Sequence, residues 1–130
     1  VANSFQKKCR LLNNSQFRIV LSKRVSARDD LLVLYVSKND LGFTRIGISI
    51  GRASGKAVVR NRLKRLIRET FRQNKQRLLP GFDIVISMSP KWNSQIRLNR
   101  IKKPQSSIKY VDIRDSFLKL AAQMNLRAGQ

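Results

Sequence analysis

Residues 45–75 read RIGISIGRASGKAVVRNRLKRLIRETFRQNK, and the change of period inside them decides the fold. Ile46, Ile48 and Ile50 alternate with Arg45, Gly47 and Ser49, the period of two expected of a half-buried strand. Gly51 and the Ser54-Gly55 pair break that pattern as a turn does. From Ala57 onward Val59, Leu63, Leu66, Ile67, Thr70 and Phe71 fall within one arc of a helix. Asn61, Arg65, Arg68 and Arg72 occupy the opposite face, with Lys64 and Lys75 beside them and Arg60 and Arg62 on the two flanks of the seam. The stretch predicts strand, turn, then a helix with an apolar seam for a core and a cationic ridge for a partner.

The ridge carries nearly one sign of charge. From Arg45 to Arg77 there are eleven Lys or Arg against the single acid Glu69. Like charges one turn apart repel by about 0.2–0.5 kcal/mol per pair. A helix that needed only solubility would interleave acids, so a polyanionic partner explains the ridge better than solvation does.

Composition widens that inference. The 130 residues suit one domain, and the formal charge of +21 with a pI near 11.7 favours nucleic acid or an anionic membrane. No apolar run approaches the roughly 20 residues that span a bilayer, and no secretory leader is visible, so no membrane partner is expected. The single cysteine, Cys9, has no internal disulfide partner and points to a reducing, cytoplasmic setting. At 42% hydrophobic the chain has enough apolar matter for a core despite its charge.

Outward from the central stretch, residues 1–12 read as a basic, unpatterned arm. Asn13-Asn14-Ser15 supplies capping oxygens for a short helix with Phe17, Val20, Leu21 and Arg24 on one face. Phe17 reads either as a core anchor or as a partly exposed platform for a base. Residues 26–30 are polar and expected to form a loop. The continuous apolar run LLVLYV, residues 31–36, predicts a strand buried on both faces, with the Tyr35 hydroxyl at the edge of the core. Residues 37–44 read as a hairpin connection into the Arg45 strand. Past the long helix, Leu78-Leu79-Pro80-Gly81 is a stop signal, and residues 82–88 alternate as a third strand, parallel to the second through the crossover helix. Residues 91–109 hold six Lys or Arg and no acid and predict a long basic loop. Residues 112–126 regain helical spacing through Ile113, Phe117, Leu120, Ala121 and Met124, with Asp112 and Asp115 in the first turn.

No self-contained active site is expected. The chain has no histidine and only seven acids. Asp29 and Asp30 are adjacent and should diverge, Glu69 is expected to pair with Arg65, and Asp83 has no neighbour in sequence to work with. Cys9 reads as a surface or core thiol. The GRASGK run, residues 51–56, lacks the spacing of a phosphate loop, since Ala57 follows Lys56 and only three residues separate Gly51 from Gly55. No catalytic and no metal-ligating residue is assigned to the chain.

The run GKAVVRNRLKRLIRE, residues 55–69, following the RIGISI strand, resembles the signature of the bacterial ribonuclease P protein component. LLNNSQF at residues 11–17, the LLVLYV strand and GFDIVI at residues 81–86 fit the same family, and Arg60-Asn61-Arg62 inside a basic helix is a specific marker of it. The resemblance implies an α+β fold, a compact α/β sandwich of a small sheet with helices and a left-handed parallel crossover. It implies the protein subunit of a tRNA 5′-processing endoribonuclease, whose chemistry lies in a catalytic RNA bound one to one. Contacts to that RNA are then expected at Lys56, Arg60, Asn61, Arg62, Lys64, Arg65, Arg68 and Arg72. The 5′ leader of precursor tRNA is expected at Phe17 and Tyr35, with Leu21 and Arg52 nearby. Leu21 stands where the family often has a second aromatic, which weakens the expectation of two stacked bases. Mg²⁺ is expected to be held mainly by RNA and substrate. The alternative of another class is a structural protein of ribosomal type that binds rRNA without a catalytic role.

Overall fold

The computed structural model describes residues 9–10 and 13–127. Among them one four-stranded sheet is covered by helices on both faces. The order is α1 (Asn14–Ser22), β1 (Ser26–Arg28), β2 (Leu32–Lys38), β3 (Arg45–Ile48), α2 (Ala57–Asn74), β4 (Phe82–Met88), α3 (Pro90–Arg97), α4 (Pro104–Ser107) and α5 (Tyr110–Gln123). This mixed α+β arrangement agrees with the fold class expected from sequence. Most of the predicted arm, and Gly129, lie outside the described residues. Cys9 is buried, and Arg10 bridges in parallel to Ile46.

The strands lie in the order β1-β2-β4-β3. β4 pairs antiparallel with β2 from Leu32↔Met88 to Lys38↔Phe82, and parallel with β3 from Arg45↔Asp83 to Ile48↔Ile86. The expected parallel crossover through α2 is therefore present. The expected hairpin across residues 37–44 is not, because β4 lies between β2 and β3. Four consecutive residues of β4, Asp83 to Ile86, are buried, which suits a central strand, whereas β3 is only four residues long. Residues 26–28 also depart from expectation. They form β1, an edge strand paired with β2, although Ser-Ala-Arg carries no strand-forming side chain.

Alternation along the strands sorts the core. Leu32, Leu34, Val36, Ile46, Ile84, Ile86 and Met88 face the main core, where Leu63, Ile67 and Phe71 of α2 meet Ile113, Phe117 and Leu120 of α5. The seam predicted on α2 is buried throughout, joined by Asn74, whose amide reaches Thr70 O and Tyr110 Oη. On the other face Val85 packs with Val20 of α1, flanked by Phe17 and Tyr35. The Asn13 carboxamide accepts from Gln16 N at 2.9 Å and caps α1 as expected. Leu21 instead faces solvent, and Arg24 lies beyond the helix at φ +56°.

Residues 91–109 are not a loop. Ser89 accepts from Trp92 N at 3.1 Å, Pro90 takes the first helical position, and α3 buries Trp92. Pro104 likewise takes the first turn of the short α4, there without a side-chain cap. The final helix begins at Tyr110, so Asp112, whose carboxylate accepts from Lys109 N at 2.9 Å, stands in the first turn and Asp115 does not.

Candidate nucleic-acid interface

An 18-residue helix with one face committed to the core must turn its other face outward. On α2 that face presents Asn61, Arg65 and Arg68 exposed, with Lys64 half-buried beside them. None of these four side chains has a hydrogen-bond partner among the described residues. Of the remaining predicted contacts Lys56 is exposed at the start of the helix, whereas Arg60, Arg62 and Arg72 are engaged within the fold. Arg60 Nε donates to Gly55 O at 3.1 Å, and Arg62 donates through Nε and Nη2 to Ile108 O at 3.3 and 2.9 Å. Arg72 holds Glu69 in a forked pair, its Nε–Oε2 arm 3.0 Å long. Glu69 therefore pairs with Arg72 and not with Arg65, because i+3 on the C-terminal side brings the guanidinium to the carboxylate. The hydrogen bonds from Arg72 and then Gln73 hold the Glu69 carboxyl below its usual range, so the ridge's one acid stays ionised.

The ridge continues into a groove. Lys64 and Arg68 line a cavity of about 360 Å³ together with Arg10, Phe17 and the β3 backbone at Gly47. Phe17 is half-buried: it packs against Val20 and Val85 and turns its free side to this groove, so the two readings of Phe17 are compatible. Tyr35 lies on the other flank of the same cluster. It lines a wider, more polar groove of about 660 Å³ with Arg28, Ser87, Asn93 and Arg97. Phe17 and Tyr35 thus border two separate grooves rather than one.

Neither Leu21 nor Arg52 lines either groove. Arg52 is exposed on a 3-10 turn, Arg52–Ser54, whose position is fixed from α3. The Trp92 indole donates to Ser54 O at 3.0 Å, and the Ser54 hydroxyl donates to Asn93 Oδ1 at 2.7 Å. At Gly55 φ is +134°, and a Cβ would meet Val59 Cγ1 at 2.9 Å, so glycine is required where the turn enters α2. Reading from sequence missed Arg28, Asn93 and Arg97. Ser89-Pro90, a capping residue before a first-turn proline, was the available signal for the last two.

The acids serve the fold. Asp29 accepts from Leu31 N, Leu32 N and the Ser116 hydroxyl and pairs with Lys119, while Asp30 turns away to Lys91. Asp83 is buried against Arg45 and Asn39. Burial pushes the Asp29 carboxyl up, but the Leu32 amide, Ser116, the Leu31 amide and Lys119 together bring it below its ordinary value. Asp83, hydrogen-bonded to Arg45, in turn raises the Arg45 guanidinium, outweighing its burial.

A small mixed sheet that turns a one-signed helical ridge and two basic grooves to solvent defines an RNA-binding α+β protein. The sequence model of the Ribonuclease P family matches residues 5–104, and the chain belongs to that family. It is 48% identical over 82 residues to the ribonuclease P protein component of Clostridium acetobutylicum, covering 62% of this chain and 69% of that one. Against the counterpart from Alkaliphilus oremlandii it is 40% identical over 76 residues, 58% and 67% of the two chains. The solved RNase P protein of Thermotoga maritima superposes with a TM-score of 0.72 at 30% identity, over 88% of this chain and 96% of that one. That of Staphylococcus aureus gives 0.71 at 25% identity, over 92% and 97%. The chain is accordingly a protein component of the tRNA-processing ribonuclease P complex, with an RNA partner in that complex.

Proposed function

We propose that α2 binds the RNA subunit through Asn61, Lys64, Arg65 and Arg68, with Lys56, Arg60, Arg62 and Arg72 at its margins, one protein to one RNA. The groove beside Phe17 then receives the 5′ leader of precursor tRNA, with Tyr35 on a second groove across the same cluster. The observation that carries this reading is that Lys64 and Arg68 belong both to the ridge and to the Phe17 groove. One helix can therefore hold the RNA subunit with one edge and the substrate strand with the other. A leader base would stack on Phe17 while the two cations meet its phosphates.

Bond cleavage is assigned to the RNA. Among the described residues no three of Asp, Glu, His and Cys come together as a metal site, and Asp29, Glu69 and Asp83 are engaged by amides, hydroxyls or cations of the fold. Mg²⁺ would accordingly be held by RNA and substrate, leaving this chain to bind and orient. The relatives and structures reported above are ribonuclease P proteins, and nothing among them favours a ribosomal role. The test is reconstitution with ribonuclease P RNA. The protein should bind that RNA and raise affinity for precursor tRNA over mature tRNA. Cleavage at the mature 5′ end by RNA-free protein, or equal affinity for the two tRNAs, would overturn the assignment.

A further inference from the structure

Between the first turn of α2 and the connection from α3 to α4 lies a cavity of about 460 Å³ that belongs to neither groove described above. Its floor is apolar: Val59, Ile96, Ile101 and Pro104. Its rim carries Lys56 and Lys103, both exposed. Its size falls within the usual span of ligand sites, about 300–1,000 Å³. Val58 is 59% exposed, an aliphatic side chain left in water at the mouth of a pocket.

The charge around it is unbalanced. Arg100, Lys102 and Lys103 follow one another on the α3–α4 connection, and the ion pairs among the described residues involve none of them, nor Lys56. Clustered cations without acids repel one another and are relieved by a polyanion. The cavity also continues the ridge. Val58 stands three residues before Asn61 and seven before Arg65, so all three share one side of α2.

We propose that this cavity takes an unpaired nucleotide of the RNA subunit, its base against the floor and its phosphates on Lys56 and Lys103. An unpaired nucleotide combines the two chemistries present: a flat apolar face and an adjacent anion. A paired stem would offer the anion and keep its base faces stacked inside. The substrate strand is disfavoured because the cavity shares no lining residue with the Phe17 or Tyr35 groove. The proposal rests on the reading of α2 as the face that meets the RNA subunit.

The test measures equilibrium binding of the full chain to ribonuclease P RNA as a function of monovalent salt. Lys103→Gln removes one phosphate contact and should lower the slope of log K against log salt by about 0.7–0.9. Val58→Glu puts a carboxylate in the first turn of α2, where the helix dipole favours it, so the thermal midpoint should not fall. Facing an RNA phosphate, the same carboxylate is a like charge across the interface and should weaken assembly by about 5-fold or more. Arg65→Ala with Arg68→Ala is the control. If the control weakens assembly and either cavity variant binds as wild type, the cavity holds no nucleotide of the RNA subunit, the proposal is wrong and the ridge reading stands. If the control also binds as wild type, the ridge reading fails and the cavity proposal with it. If both cavity variants assemble normally but lose precursor tRNA relative to mature tRNA, the occupant is the substrate strand and the proposal is wrong.

Discussion

Phe17 shows how one side chain serves two demands. Its inner face closes the cluster with Val20 and Val85, and its outer face opens to the groove beside Lys64 and Arg68. Stacking on an aromatic contributes about 1–3 kcal/mol per base, so Phe17→Ala should weaken holoenzyme binding of precursor tRNA by roughly 5- to 150-fold. Mature tRNA, which has no leader, should bind as before, and thermal unfolding of the variant separates this from damage to the cluster. Loss of both affinities together would return Phe17 to a packing role alone. Gly55 carries a different constraint. Its φ of +134° and the 2.9 Å approach to Val59 Cγ1 leave no space for a side chain. Gly55→Ala should cost about 1–3 kcal/mol in denaturant unfolding. Gly51→Ala, where nothing lies within 4 Å and φ is −100°, should change stability by about 0.5 kcal/mol or less.

At the scale of elements, the proposed role of the outward side of α2 is electrostatic. Each phosphate neutralised releases counterions, and two fewer cations should reduce the salt slope by about 1.4–1.8. Arg65→Ala with Arg68→Ala should therefore weaken assembly at low salt and converge on wild type as salt rises. A parallel offset at all salt concentrations would mean that the arginines act through the fold. The α2 seam was legible residue by residue because a long amphipathic helix writes its period over five turns, and all six predicted seam residues are buried. So was the Asn13 cap, a local hydrogen bond between neighbours. Strand neighbours were not. Whether β3 sits beside β2 or β4 depends on which strand is buried from both sides, and Leu32–Lys38 and Phe82–Met88 are both apolar enough to claim the centre. β1 is held by its ladder to β2 rather than by its own side chains, so Ser26–Arg28 left no pattern to read. α3 was missed because eight residues give barely two turns, with Trp92 and Ile96 alone marking its inner side. The candidate site divided similarly: the ridge follows from one helix, whereas the grooves bring Phe17 to Gly47 and Tyr35 to Arg97 across elements far apart in sequence.

For the whole molecule, Asp29 ties the β1–β2 turn to α5 through Ser116 at 2.6 Å and Lys119 at 3.1 Å. Because its folded carboxyl titrates below the unfolded value of about 3.9, the unfolded chain binds the proton more readily. The stabilisation is thus complete above that value and is lost as pH falls through the lower folded one. Thermal midpoints followed below about pH 4 should drop more steeply for wild type than for Asp29→Asn, which starts lower and has no such carboxyl to protonate. Equal slopes would mean that Asp29 does not couple the turn to the helix. At a formal charge of +21 the fold also carries general self-repulsion, which RNA binding relieves.

Trp92 is the chain's one tryptophan, 5% exposed, with its indole N–H bonded to the turn that carries Arg52. The protein therefore has a built-in optical probe at the joint between α3 and the entry to α2. Its emission should shift to longer wavelength when the domain unfolds. A change on adding RNA at constant fold would report strain at that joint without any attached dye.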